Sequence, residues 1–575
     1  MRWNEETEKF EIKGDVLENY NDRCDDYAER VVIPDGIAVI KAWAFAHSFD
    51  LVEVVIPDSV VCIEPNAFGS CGKLMRLILS GSNSAYKTVD GVLYTADGET
   101  LVQYPLGRPD ETFTVPDIVK NIGEGAFADS HTLTEIKLPI GLVGIGKEAF
   151  LECGELEFSV IPHGVKEIGA GAFKGCKKIR NVIIPDSVEC IGEGAFMDCG
   201  SMRGISVPRG IKKLEKQLFC GCSSLCQVNV PENITEIGEE AFSCCEALEE
   251  VYIPDSVTEW VGSAFSKCVK LQRIVLTGEN PKYKTVDGDV FTGDGEKLVY
   301  YGAYKQGETY TVPYGVTKIG DSAFMGCESL KTVTLPESVT KISRRAFSHC
   351  ENLECVSMGG SVTEIGDEAF DSCALSGDLD LPDSVTEIGE RAFISCRNLE
   401  RVIIPKGVTR VSAEAFRYCH GMYELVLHDG IEYLGNYAFC GGYCLEEIDI
   451  PSSVKHIGDY AFCGLETMES VVIPEGVEYV GKHAFSECDM LRSVTFPDSV
   501  KFIGEDCFSQ CFCLEEINIK EELRPLLKND ATALKIAIRK ALSVFDRDDF
   551  SGDRRWNLEK FANEIIDADN PKDGN

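Results

Sequence analysis

No stretch of this sequence holds 18 consecutive apolar residues, which excludes an ordinary membrane-spanning helix and direct membrane insertion. The first 30 residues, from MRWNEETEKF onward, have no apolar core of the kind an export signal carries. From the chain as it stands the expected location is cytoplasmic; an export signal removed upstream would make it secreted or cell-surface. Basic residues are scarce beside acidic ones, 56 Lys and Arg against 95 Asp and Glu, giving a formal charge of −39. That balance argues against nucleic acid or an anionic membrane as a partner. The sequence also lacks a phosphate-binding loop, an HExxH helix, a nucleophile elbow and a paired CxxC. With only 8 histidines, at differing positions in the chain's repeats, no catalytic residues, cofactor or metal site is assigned.

What the sequence does have is a period. A phenylalanine returns every 23 residues: Phe45 and Phe68, then seven from Phe127 to Phe265, then nine from Phe324 to Phe508. Proline stands eleven residues before it in 16 of 18 repeats and alanine directly before it in 16, as in PDSVTEIGERAFISCRNLERVII from Pro382. A fixed period of this length marks a solenoid, in which one repeat cannot bury its apolar face alone and stacking supplies the core.

One repeat divides into three parts. Leu399, Val402 and Ile404 read as a short strand with apolar residues inward, ended by Pro405, which has no amide donor. Val385 and Ile388 form a second brief extended piece, and Gly389 is expected to turn the chain with a positive φ. Glu390 to Cys396 is too short for a standard helix and predicts a single helical or 3-10 turn delivering Ala392 and Phe393 to the core. Neighbouring repeats should then meet at the roughly 4.8 Å spacing of a parallel sheet.

Two intervals of 59 residues, Phe68 to Phe127 and Phe265 to Phe324, each exceed one period by 36. The extra segments match, YKTVDGVLYTADGETLVQYP from Tyr86 and YKTVDGDVFTGDGEKLVYYG from Tyr283, and their Asp-Gly dipeptides between β-formers predict hairpins. The expected organisation is an N-terminal β cap over 1–33, a solenoid of eighteen repeats with two inserts over 34–519, and a helical cap or small accessory module over 520–575. The last of these rests on Leu534, Ile538, Leu542 and Phe545 at helical spacing, with Trp556 and Phe561 marking a second helix. The acidic stretch DRDDFSGD within it fails as a calcium loop, because Phe550 and Ser551 stand where an oxygen ligand and glycine are needed.

Of 26 cysteines, 14 lie three residues after the repeat phenylalanine. This is a packing position filled by a small hydrophobe, and so many thiols point to a reducing interior. The strand residues facing away from the core vary while the core rungs do not, so recognition is sought there. Tyr252, Arg273, Val275, Arg401, Ile403, Glu424 and Val426 are the candidate protein-binding surface.

The recurring IPDSVxxIGxxAFxxCxxL over 34–519 resembles the BspA-like, or treponemal-type, leucine-rich repeat family. The resemblance implies a curved, mainly β leucine-rich repeat array with short parallel strands. It also implies a non-enzymatic role in protein recognition, adhesin-like, with a protein or glycoprotein ligand on host matrix or a cell surface. An intracellular scaffold is the alternative, and a carboxylate-dependent hydrolase the distant one.

Overall fold

The computed structural model describes residues 9–21, 28–158, 160–302, 305 and 307–527. They fall into two compact units, one reaching Gly293 and taking in Gly302, the other formed by Asp294–Tyr301 and the chain from Lys305 on. Each is a mainly β solenoid of short, mostly parallel strands.

In both units a repeat contributes two strands. The first lies eight to ten residues after the phenylalanine and pairs in parallel with its counterpart 23 residues on, as Gly204–Ser206 does with Gln227–Asn229. The second is a two-residue strand, so that Lys213–Leu214 pairs with Glu236–Ile237 and that in turn with Glu259–Trp260. Alternation then does the sorting: Leu399, Val402 and Ile404 are buried while Ile403 between them is exposed.

The phenylalanines form the spine. In the N-terminal unit the rings from Phe127 to Phe265 stack at 5.1–5.9 Å with interplanar angles of 5–20°. In the C-terminal unit the stack runs from Phe324 to Phe508. The sheet spacing of about 4.8 Å sets the repeat, and the rings slide to a slightly longer offset separation that suits their quadrupoles.

The inserts differ from a simple interruption between whole repeats. Tyr104 and Tyr301, each 23 residues ahead of a phenylalanine, stack on Phe127 at 5.2 Å and Phe324 at 5.0 Å and are themselves buried. Each therefore supplies a rung, and the extra length lies ahead of it. In the first insert the hairpin Tyr86–Val89 and Val92–Thr95 leads into Thr100–Gln103, which joins the parallel ladder at Asn121–Ile122. The second insert opens with a matching hairpin, Tyr283–Val286 with Asp289–Thr292. At the N-terminus, Phe10–Lys13 and Val16–Tyr20 form a hairpin whose second strand pairs with Val39–Ile40, and Tyr20 stacks on Phe45.

One local expectation is corrected. Gly389 does not take a positive φ; a Cβ there would meet Asp367 N at 2.5 Å and Gly366 C at 2.6 Å, so the glycine answers to close approach of the preceding rung. The left-handed positions of that repeat are Arg391 and Ser395, on either side of Phe393. The single turn expected there is built from these two reversals, and it is a 3-10 helix at Gly262–Phe265. A second 3-10 helix, Glu521–Leu527, closes the described chain. The helical spacing and the acidic stretch beyond it lie outside the described residues.

The cysteine ladder is buried, and it does more than fill space. Along the ladder Sγ donates to the carbonyl of the phenylalanine one rung back, as in Cys153 to Phe127, Cys199 to Phe173, Cys222 to Phe196, Cys396 to Phe370 and Cys419 to Phe393, at 3.1–3.3 Å. That carbonyl also accepts from the amide of its own repeat's cysteine or its equivalent, as Phe150 O does from Cys153 N. The thiol thus occupies the second lone pair of a buried acceptor.

Candidate recognition groove

Charge on the strand faces is largely cancelled between rungs. In the N-terminal unit Arg273 is held by Glu250 through its Nε at 2.7 Å, the two residues standing opposite each other in the ladder. In the C-terminal unit Arg401 lies between Glu424 at 2.9 Å and Asp378 at 3.6 Å. Both bonds to Arg401 raise its pKa, the hydrogen bond to Glu424 most. Three of the candidate surface residues are therefore spent on each other and on their neighbours.

The structure places the candidates as two groups. Tyr252, half exposed, stands opposite the partly exposed Val275 in the N-terminal unit, with Arg273 on the same strand as Val275. In the C-terminal unit Ile403 is opposite Val426, and Arg401 opposite Glu424. Val55, which holds the position of Tyr252 and Ile403 ten residues after its phenylalanine, is by contrast buried in the strand Glu53–Ile56.

Tyr252 belongs to a larger feature. The groove beside it has a volume of about 860 Å³ and runs over Ser206, Asn229 and Tyr252 along one row, with Asp186, Arg209 and Glu232 along the next and Thr277 at its end. Asp186, Arg209 and Glu232 each directly follow a proline that turns the chain, which leaves them beside the groove. Among the described residues, the side chains of Ser206, Asn229, Tyr252 and Arg209 make no hydrogen bond or ion pair within the molecule, although all four are exposed. Asn233 differs: its amide donates to Arg209 O at 2.9 Å and Ile211 O at 2.6 Å, which pins the groove's rim. Asp186 accepts from the Arg209 amide at 3.0 Å and does the same on the other side.

The sheet parts at this place. Gly204–Ser206 pairs with Gln227–Asn229, and Glu250–Pro254 pairs with Arg273–Thr277, but no ladder joins the second strand to the third among the described residues. On the opposite face of the same repeats the ladder is unbroken, and Phe219 stays 5.4 Å from Phe242. The opening is thus confined to the surface above an intact core.

Sequence reasoning did not find Ser206, Asn229 and Arg209 as a set. It also treated the histidines as scattered, whereas His456 is sandwiched between Tyr433 at 4.5 Å and Tyr479 at 4.3 Å, and His420 stacks on Tyr443 at 4.5 Å. Burial lowers the pKa of His456, and of His420 likewise. The row continues from Tyr479 to Phe502, with Arg410 lying over Tyr433 at 4.1 Å. No group of three or more His, Cys, Asp or Glu suited to a metal ion occurs among the described residues, and no described helix is long and apolar enough to cross a membrane.

Comparison with known proteins fits this architecture. The profile of the BspA-type leucine-rich repeat region matches residues 21–89, 110–158, 143–272, 299–423 and 411–531. The chain belongs to the BspA-type leucine-rich repeat family. A leucine-rich cell surface protein of Faecalibacterium prausnitzii is similar in structure, with 29% identity, 61% of this chain and 95% of that one covered, and a TM-score of 0.50. A leucine-rich repeat protein of Eubacterium ventriosum is 20% identical over 76% of this chain and 94% of its own, with a TM-score of 0.43. The pneumococcal vaccine antigen PcpA is 17% identical over 89% and 96%, with a TM-score of 0.34. No curated protein matched the sequence. Membership of the BspA type makes the chain a non-enzymatic, protein-binding repeat module.

Proposed function

We propose that the groove over Ser206, Asn229 and Tyr252 is where this BspA-type module holds a protein or glycoprotein ligand. The carrying observation is the contrast between rows. Arg273 and Arg401 are paired within the fold, while the polar groups around Tyr252 converge on one groove with their hydrogen-bonding capacity unspent. Unpaired donors and acceptors beside an exposed aromatic ring give both anchoring area and orientation.

The setting we propose is adhesin-like display at a cell surface, supported by the F. prausnitzii relative, which is named a leucine-rich cell surface protein. A second reading, an internal scaffold in the cytoplasm, draws on a different observation: Cys62, Cys190, Cys226, Cys355 and Cys444 are exposed free thiols, a liability in an oxidising compartment. Labelling intact cells with an impermeant maleimide separates the two, since surface display gives labelled chain before permeabilisation and a scaffold only after it. The groove is tested by a photo-crosslinker at position 252 and, as control, at 472 in the C-terminal unit. The expected outcome is a discrete adduct from 252 that Arg209→Ala diminishes; equal adducts from both positions would remove the groove from consideration.

A further inference from the structure

We infer that the ligand group entering this groove is a neutral saccharide, with a pyranose ring lying on Tyr252. The inference rests on reading the groove as the recognition surface, and the chemistry of its walls supplies the rest.

A peptide strand does not fit the opening. Adding a strand between Gln227–Asn229 and Glu250–Pro254 requires about 9.6 Å between them, twice the ladder spacing. The phenylalanines beneath stand 5.4 Å apart, and the strands behind them remain paired, so these rungs are held one spacing apart. Single hydroxyl groups can enter such a gap where a backbone cannot.

The charges disfavour an anion. Arg209 is the one guanidinium lining the groove, and two carboxylates, Asp186 and Glu232, line it as well. A phosphate, sulfate or carboxylate would meet net negative walls on a chain of formal charge −39. A polyol meets the opposite situation. Each sugar hydroxyl both donates and accepts, matching the mixture presented here: the Asn229 amide offers both functions, the Ser206 and Tyr252 hydroxyls both functions, Arg209 donors, and the two carboxylates acceptors. The Tyr252 ring is half exposed and makes no ring contact with another aromatic side chain, leaving a face for the C–H side of a pyranose. At about 860 Å³ the groove is within the range that takes a small oligosaccharide.

The experiment uses the full chain on a printed array of defined neutral, sialylated and sulfated oligosaccharides, with gastric mucin offered before and after enzymatic removal of its glycans. The expected result is retention on a subset of neutral sugars, weakened at least about tenfold by Tyr252→Ala and by Asn229→Ala. Tyr252→Trp, which keeps an aromatic face, should retain binding, and Val472→Ala should leave it unchanged. Urea unfolding of each variant checks that the fold is kept, which the exposure of Tyr252 and Asn229 favours. Binding to no sugar, or to acidic sugars alone, would overturn the inference. Capture of mucin that survives glycan removal and is lost in Tyr252→Ala would also overturn it, while upholding the groove as a protein-binding surface. Capture indifferent to every groove substitution would overturn both readings.

Discussion

Replacing Phe196 with alanine removes a ring with no exposed surface from the middle of the N-terminal stack. It lies between Phe173 at 5.4 Å and Phe219 at 5.9 Å, so two face contacts are lost along with the ring's own burial. Contacts of this kind contribute about 0.5–1.5 kcal/mol each beyond area, and a fully buried phenylalanine replaced by alanine typically loses roughly 3–5 kcal/mol in all. The upper part of that range is expected here. The ladder hydrogen bonds, including Cys222 Sγ to the Phe196 carbonyl, hold the backbone rungs in place and keep the cavity from collapsing. With a urea m-value of about 3 kcal/mol/M, the unfolding midpoint should fall by roughly 1.3–1.7 M. Circular dichroism in urea reads it directly, with Tyr252→Ala as a surface control expected to move the midpoint little. Phe196→Leu, which refills part of the volume, should recover part of the loss. A Phe196→Ala midpoint matching the native one would refute the stacked-ring core.

Three further outcomes follow from other parts of the structure. A thiol reagent at mildly alkaline pH should modify Cys62, Cys190, Cys226, Cys355 and Cys444 rapidly, and the ladder only after unfolding, because burial pushes Cys153 and Cys419 up to about 12; mass mapping of early adducts on the ladder would contradict this. Burial holds His456 below its ordinary 6.5, so on acidification the unfolded chain takes up the proton first. Stability is therefore unaffected above 6.5 and falls as the pH drops from there to the folded-state value; comparing urea midpoints at about pH 7.5 and about pH 5.5 should show a smaller loss in His456→Phe than in the native chain. Finally, Arg209→Ala should weaken ligand capture while Arg273→Ala, whose partner is Glu250, should not; the reverse order would restore Arg273 as the binding residue.

Much of this architecture was legible because the core repeats one choice. Proline, alanine, phenylalanine and cysteine at fixed offsets give the strand end, the close turn and the stacked ring, and the alternation around Val402 gives the inward face. Tyr104 and Tyr301 do not belong to a ladder defined by phenylalanine alone, although tyrosine fills the same buried slot and stacks on the next ring. The site was less legible, since exposure marks a residue as available only when no neighbour uses it. Arg273 with Glu250 and Arg401 with Glu424 are opposite charges 23 residues apart, a signal the sequence holds but which has meaning only once rungs are known to lie side by side. Tyr433, His456, Tyr479 and Phe502 share that interval, so their stack was readable by the same test. The parting of the sheet beside Asn229 has no counterpart in residue pattern.

Hydrogen exchange measured on the full chain with and without bound ligand tests the central claim most directly. Slowed exchange over 204–209, 227–233 and 250–255 is the expected footprint, since these segments form the floor and rim of the groove. Saturating ligand that leaves all three unchanged and slows exchange elsewhere would contradict it.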